Sequence, residues 1–249
     1  MVEQTLRGGN STAVVRVGDT VRRTAGPWTD SVRRLLAALR AAGVTEVPEH
    51  FGLDERGREV LSFLPGEVPG YPLPDWVWEP VLVQEAGSLL RRMHDASVPL
   101  LGQPAVWQLP AHEPVEVVCH NDVAPYNMVF HQQHLVGVID FDTASPGPRI
   151  WDLAYLAYRL APFAEDAGDA APGMASRLER LDLLIDAYGQ SFLPADVLRV
   201  AADRLVDLAR YTDRRAVEAD RPDLSDHAAM YRRDAIRLRA LSAGREVVR

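Results

Sequence analysis

A chain of 249 residues, 47% of them hydrophobic, can hold one large domain or two lobes and has ample material for a core. Its formal charge of −8, from 35 acidic against 27 basic residues, argues against a nucleic-acid partner, whose footprint would be basic, and suits a cationic one. A single cysteine, Cys119, excludes an internal disulfide; the opening Met1-Val2-Glu3-Gln4 lacks the regions of a signal peptide, and no apolar run is long enough to span a bilayer, so a cytoplasmic protein with no membrane partner is expected.

The first stretch reads as strands with turns: Thr5 to Arg7, the turn Gly8-Gly9-Asn10, Ala13 to Val17, Gly18-Asp19, then Thr20 to Arg23. The spacing of Val32, Leu35, Leu36 and Leu39 predicts a helix that starts at a Thr29 or Asp30 cap and stops at Gly43. Two further strands, around His50 to Leu53 and Glu59 to Leu64, flank the turn Asp54-Glu55-Arg56-Gly57. Pro65 to Pro74 is rich in proline and glycine and reads as a hinge. Beyond it the period is mostly helical, in Leu82/Ala86/Leu89/Leu90/Met93, in Leu178/Leu181/Leu184/Ile185/Tyr188 and in Val197/Ala201/Leu205/Leu208. The fold class expected is α+β in two lobes: a small antiparallel sheet with one helix over residues 1–66 and a mainly helical lobe over 67–249.

Two polar clusters interrupt this pattern. The first is Cys119-His120-Asn121-Asp122-Val123-Ala124-Pro125-Tyr126-Asn127-Met128-Val129-Phe130, in which Asp122 to Asn127 is a loop, because Pro125 forbids a regular helix or central strand. The second, Val136-Gly137-Val138-Ile139-Asp140-Phe141-Asp142, ends an apolar strand. Between them the turn His131-Gln132-Gln133-His134 predicts a hairpin that returns Asn127 and Asp140 to neighbouring positions. A carboxylate to orient a hydroxyl (Asp122), with a carboxamide and a carboxylate to hold a hard cation (Asn127 and Asp140), is the set that phosphoryl transfer requires.

The string H-x-D-x-x-x-x-N followed by I-D-x-D resembles the aminoglycoside phosphotransferase and choline kinase group, small-molecule kinases with the protein-kinase fold. Leu82 to Asp95 and Pro146 to Tyr155 look like that group's segments before the catalytic loop and after the metal aspartate. The resemblance implies transfer of the γ-phosphate of ATP or GTP, with Mg²⁺, to a hydroxyl of a small molecule such as an aminoglycoside or another antibiotic. Asp122 would be catalytic, and Asn127, Asp140 and, directly or through water, Asp142 would hold the metal. For Asp142 a turn cap is the equal alternative.

In that group a strand lysine grips the phosphates and pairs with a helix glutamate. Here every basic residue is arginine and neither partner is visible. Arg23 is the substitute, sharing a strand face with Val21, which would cover the adenine, while Arg22 points away. Gly9 and Asn10 either approach the phosphates or make an ordinary hairpin turn, and Ser62 to Leu64 would line the adenine near the hinge.

Other constellations fail: His94-Asp95 lacks companion histidines, His131 and His134 lack a cysteine set, Cys119 and His120 point to opposite strand faces, and there is no Walker motif. His120 reads as a residue that shapes the loop, and Asp152 as a charge at a helix start. The acidic residues Glu165, Asp166 and Asp169 would suit a cationic acceptor, although charge along the later helices reads as an ordinary solvated face. The rival to a kinase is a catalytically weak nucleotide-binding regulatory module, motivated by the missing lysine and glutamate; monomer and homodimer stay open.

Overall fold

The computed structural model describes residues 3–6 and 14–246, so the turn containing Gly9 and Asn10 lies outside the described residues. Contact density separates two compact units, one of residues 1–71 with 88–149 and one of 72–87 with 150–249. The sequence-based lobes, 1–66 and 67–249, divide the chain by element type instead.

The first unit is built on a five-stranded antiparallel sheet. Its strands are β1 (Gln4–Thr5), β2 (Val15–Val17), β3 (Thr20–Thr24), β4 (His50–Leu53) and β5 (Arg58–Ser62), in the order β1-β2-β3-β5-β4. The central pair β3–β5 sets Val21 opposite Leu61 and Arg23 opposite Glu59, which puts all four side chains on one face. Asp54 closes the β4–β5 turn by accepting the amides of Arg56 and Arg58, both at 2.9 Å. Strand β5 ends at Ser62, two residues before the expected Leu64, where the amide of Phe63 turns away to the carbonyl of Asp19 at 2.9 Å.

Helix α1 (Thr29–Ala41) buries Val32, Leu35, Leu36 and Leu39 on the expected stripe. Neither Thr29 nor Asp30 caps it. The N-cap position is Trp28, without a side-chain cap bond; Thr29 Oγ1 instead accepts the amide of Gly26 at 2.9 Å, and Asp30 pairs with Arg33 at 2.7 Å inside the first turn. Gly43, at φ +85°, carries the exit as expected.

The rest of the first unit supplies the polar loop. Helix α2 (Pro80–Ser97) enters it with its second half, followed by β6 (Val117–Cys119), the hairpin β7 (Met128–His131) and β8 (His134–Val138), and β9 (Ser145–Gly147), which pairs with β6. The hairpin turns through Gln132 and Gln133, both at positive φ, as a two-residue connection requires. It is docked by reciprocal backbone bonds between Glu67 and Phe130, each 2.8 Å, and by the Val138 amide on the Glu46 carbonyl at 2.8 Å.

The second unit is helical: α3 (Arg149–Leu160), buried from Asp152 onward, then α4 (Met174–Tyr188), α5 (Pro194–Glu218) and α6 (Asp223–Glu246). The last two run antiparallel, with Ser242 bonded to Ala195, Arg239 to Asp203 and Arg232 to Asp213. Gly87 allows α2 to approach α4 closely, since a Cβ there would stand 3.0 Å from the carbonyl oxygen of Leu184. Buried Arg180 donates to the carbonyls of Leu160 and Trp78; burial without a close carboxylate pulls its pKa down to about 10. Among the described residues no helix is long and apolar enough to cross a membrane.

Candidate active site

The loop after β6 and the segment after β8 are stitched together by side chains whose sequence positions made them look incidental. His120 accepts the amide of Asp122 on Nδ1 at 3.2 Å, so its ring proton sits on Nε2, which donates to the carbonyl of Ile139 at 3.0 Å. Its ring also rests on Phe141, with centroids 4.5 Å apart. One imidazole thus spans from the residue after next, Asp122, to the residue before Asp140. Its place is that of a strut, as the sequence suggests.

Asn121 takes φ +67°, a left-handed conformation that asparagine tolerates better than most side chains. Its Nδ2 donates to the Thr143 carbonyl at 2.9 Å and to Ser145 Oγ at 2.8 Å, and Thr143 Oγ1 returns a bond to the His120 carbonyl at 2.9 Å. Asp140 is also left-handed, at φ +65° and ψ +66°. Such backbone positions hold only where the surroundings over-determine them, as this lattice of bonds does.

Within the loop, a short 3₁₀ turn over Pro125–Asn127 returns Asn127 to Asp122. Asn127 Nδ2 donates to Asp122 Oδ2 at 2.8 Å and to the Asp122 carbonyl at 3.0 Å. Tyr126 donates its hydroxyl to Asp122 Oδ1 at 2.6 Å, so both carboxylate oxygens are oriented. The Asn127 carbonyl in turn accepts the amide of Ile139 at 2.9 Å, which places Asp140 one residue beyond that backbone bond.

The sheet contributes the cation. Arg23, buried to 7% exposure, divides its guanidinium among three carboxylates: Nε to Glu59 at 2.6 Å, Nη1 to Asp140 at 3.2 Å and Nη2 to Asp142 at 2.6 Å. Arg22 points elsewhere, to Thr20 Oγ1 and, at 3.7 Å, to Asp54. Burial would lower the pKa of Arg23, but Asp142, Glu59 and Asp140 together raise it, so the guanidinium stays charged. One cation shared three ways leaves Asp142 short of a full counter-charge. Burial first, and then the neighbouring Asp140, push its carboxyl above the ordinary range against the pull of Arg23 and of a bond from Trp28. Glu59 behaves in the opposite way: burial opposes its ionisation, yet His50 and Arg23 outweigh it and hold its pKa low.

The sheet face that gathers Arg23, Val21, Glu59 and Leu61 does not include Ser62, which lies opposite Thr20 on the other face. The Ser62 hydroxyl is occupied by the amide of Glu49 at 2.9 Å. Leu64 packs on the β7–β8 hairpin: a Cβ on Gly137 would meet its Cδ1 at 2.5 Å. Two of the acidic residues considered for an acceptor are neutralised within the second unit, Glu165 by Arg233 at 2.7 Å and Asp166 by Arg159 at 3.1 Å.

Glu59, His50 and Tyr126 were not singled out from sequence. The family pattern points to a helix after β3 for the glutamate, whereas the carboxylate that meets Arg23 Nε stands on β5, the strand paired with β3. The available signal is its inward position, in the same strand phase as buried Leu61 two residues on.

The donor set fits a hard divalent cation. Asp140 is half-exposed, with its side chain at 51%, Asp142 faces the same guanidinium, and Asn127 spends its nitrogen on Asp122, so that its amide oxygen is the atom it could offer a cation.

The chain's similarities agree with this chemistry. The model of a phosphotransferase enzyme family matches residues 103–184. The trifolitoxin immunity protein of Rhizobium leguminosarum bv. trifolii is 35% identical over 196 residues, which cover 75% of this chain and 74% of that protein. A choline/ethanolamine kinase family protein from Mesorhizobium loti superposes with a TM-score of 0.61 at 18% identity, covering 96% of this chain and 93% of that one. The amicoumacin kinase hAmiN, in complex with AMP-PNP, Ca²⁺ and Ami, superposes with a TM-score of 0.68 at 15% identity, covering 94% and 87%. These two share the bilobal kinase-like α+β fold.

Proposed function

Since the chain belongs to the phosphotransferase enzyme family and is a small-molecule phosphotransferase, we propose that it transfers the γ-phosphate of ATP or GTP to a hydroxyl of a toxic small molecule, such as an antibiotic. The observation that supports this reading is that, within one compact unit, Asp122, held by Tyr126 and Asn127, is joined through the Asn127 carbonyl and the Ile139 amide to the segment whose Asp140 and Asp142 face the buried Arg23. The immunity function in the name of the relative supports a protective role.

Asp122 orients the acceptor hydroxyl and takes its proton as the oxygen attacks; Tyr126 and Asn127 hold the carboxylate so that it does not rotate away. Asn127, Asp140 and Asp142 would hold Mg²⁺, which when bound neutralises phosphate charge. Arg23 steadies the phosphates, and Val21, on its face of the sheet, covers the base. Leu64 belongs to the same hinge-side lining; Gly9 and Asn10 complete the proposed nucleotide contacts, with residues 1–66 as the nucleotide lobe and 67–249 as the lobe for catalysis and acceptor. A cytoplasmic location follows for an enzyme that consumes ATP or GTP.

The test is nucleotide consumption across a panel of hydroxylated antibiotics, amino alcohols and sugars, with ATP and GTP, for wild type and Asp122→Ala. Turnover with at least one acceptor, reduced about 10²-fold or more in the variant, is expected. Nucleotide binding without turnover on any acceptor would favour a regulatory module instead.

A further inference from the structure

The arginine that replaces the family's lysine is held in a way a lysine cannot be. A guanidinium has separate edges, so one nitrogen can be tied down while the other two stay available; an ammonium is a single point charge. Here the tied nitrogen is Nε, 2.6 Å from Glu59 Oε2, with both side chains nearly inaccessible at 8% and 1%. The two terminal nitrogens face outward from this anchor, onto Asp140 and Asp142.

The second oxygen of Glu59 makes no hydrogen bond and has His50 as its near neighbour. His50 accepts the amide of Gly52 on Nδ1 at 3.0 Å, which leaves the proton on Nε2, and that atom lies 3.5 Å from Glu59 Oε1. Anchor and support both come from strands of one sheet, with Glu59 directly across the antiparallel ladder from Arg23 and His50 on the adjoining strand. No helix is needed to fix the cation.

We propose that Glu59 is the positioning residue for the phosphate-gripping arginine, and that Arg23 is a resident counter-ion which exchanges Asp140 and Asp142 for phosphate oxygens while Nε stays on Glu59. The exchange is balanced in charge: the carboxylates released by the guanidinium are the ones a divalent cation takes up, and the guanidinium is taken up by the anionic phosphates. The inference rests on the phosphotransferase reading above. It adds that metal and arginine compete for the same carboxylates when nucleotide is absent.

Two binding measurements without turnover test this: titration of a non-hydrolysable ATP or GTP analogue with Mg²⁺ by calorimetry, and titration of Mn²⁺ alone by electron paramagnetic resonance. Glu59→Gln is expected to weaken analogue binding about tenfold or more, the value of one charge-assisted hydrogen bond, with partial recovery in Glu59→Asp. Arg23→Met should weaken the analogue yet tighten Mn²⁺, because the competing cation is gone; a residue with only a structural role would weaken both. Arg23→Met/Glu59→Leu removes the buried pair together and guards against a stranded carboxylate in the single variant. Unchanged analogue affinity in Glu59→Gln, or weakened Mn²⁺ binding in both arginine variants, overturns the inference alone. Wild-type protein that binds neither analogue overturns the phosphotransferase reading and this one with it.

Discussion

Asp234 on α6 is fully buried and serves three donors: the Tyr158 hydroxyl at 2.6 Å, the Glu165 amide at 3.1 Å and the Arg237 guanidinium. Tyr158, on α3, is itself buried, and burial first of all keeps its hydroxyl protonated at any working pH. Asp234→Ala would strand that hydroxyl and one backbone amide. Each hydrogen bond to a charged acceptor contributes about 1.5–3 kcal/mol, while the arginine, half-exposed, adds under about 1 kcal/mol. A loss of about 3–5 kcal/mol follows, which for a chain of this size lowers Tm by roughly 10 °C. Thermal melts read by circular dichroism measure it. A double-mutant cycle with Tyr158→Phe should return a coupling of about 1.5–3 kcal/mol, because the two share one bond. A Tm within about 2 °C of wild type for Asp234→Ala, or a strictly additive cycle, would refute the claim that this carboxylate ties α6 to α3.

Gly66→Ala should cost about 2–4 kcal/mol in urea unfolding, since its φ is +151° and a Cβ would stand 2.4 Å from the Phe130 carbonyl oxygen; Gly70→Ala, with nothing within 4 Å, should cost under about 1 kcal/mol. Acid should erase the contribution of Glu59. Its folded pKa lies below the ordinary 4.5, so its stabilisation is complete above that value and lost as pH falls through the folded pKa. The stability gap between wild type and Glu59→Gln, followed from pH 7 to 3, should therefore close at the acid end, and a constant gap would contradict the assignment. Cys119, at 0% exposure and beside the Pro148 carbonyl at 3.5 Å, should react with a thiol reagent only at the rate of unfolding, as a chromogenic disulfide assay would show.

The elements that were legible are those whose signal is local. Alternation around His131-Gln132-Gln133-His134 gives the β7–β8 hairpin, and the stripe Val32/Leu35/Leu36/Leu39 gives α1. What escaped was decided by partners distant in sequence. Glu59 looks like an ordinary strand carboxylate until β5 is laid against β3 in register, 36 residues away from Arg23. Tyr126 reads as a loop aromatic until the 3₁₀ turn aims its hydroxyl at Asp122. Helix α6 buries Ala228, Met230, Asp234, Ala235, Leu238 and Ser242, a face with few large apolar side chains to show a period. Ser62 to Leu64 read as lining the adenine near the hinge, and what only the register adds is that Ser62 shares the face of Thr20, with its hydroxyl accepting the Glu49 amide.

Asn121 shows how a bend can be secured by addition as well as by omission. A glycine at this point would reach the same curvature by having no side chain to obstruct it, and would hold nothing in place. The carboxamide accepts the backbone strain and repays it with two anchors on the strand segment opposite, Thr143 and Ser145. Replacing it with glycine should therefore preserve the shape of the loop yet loosen its footing, so that conformation and rigidity, usually inherited together, become separable at a single position.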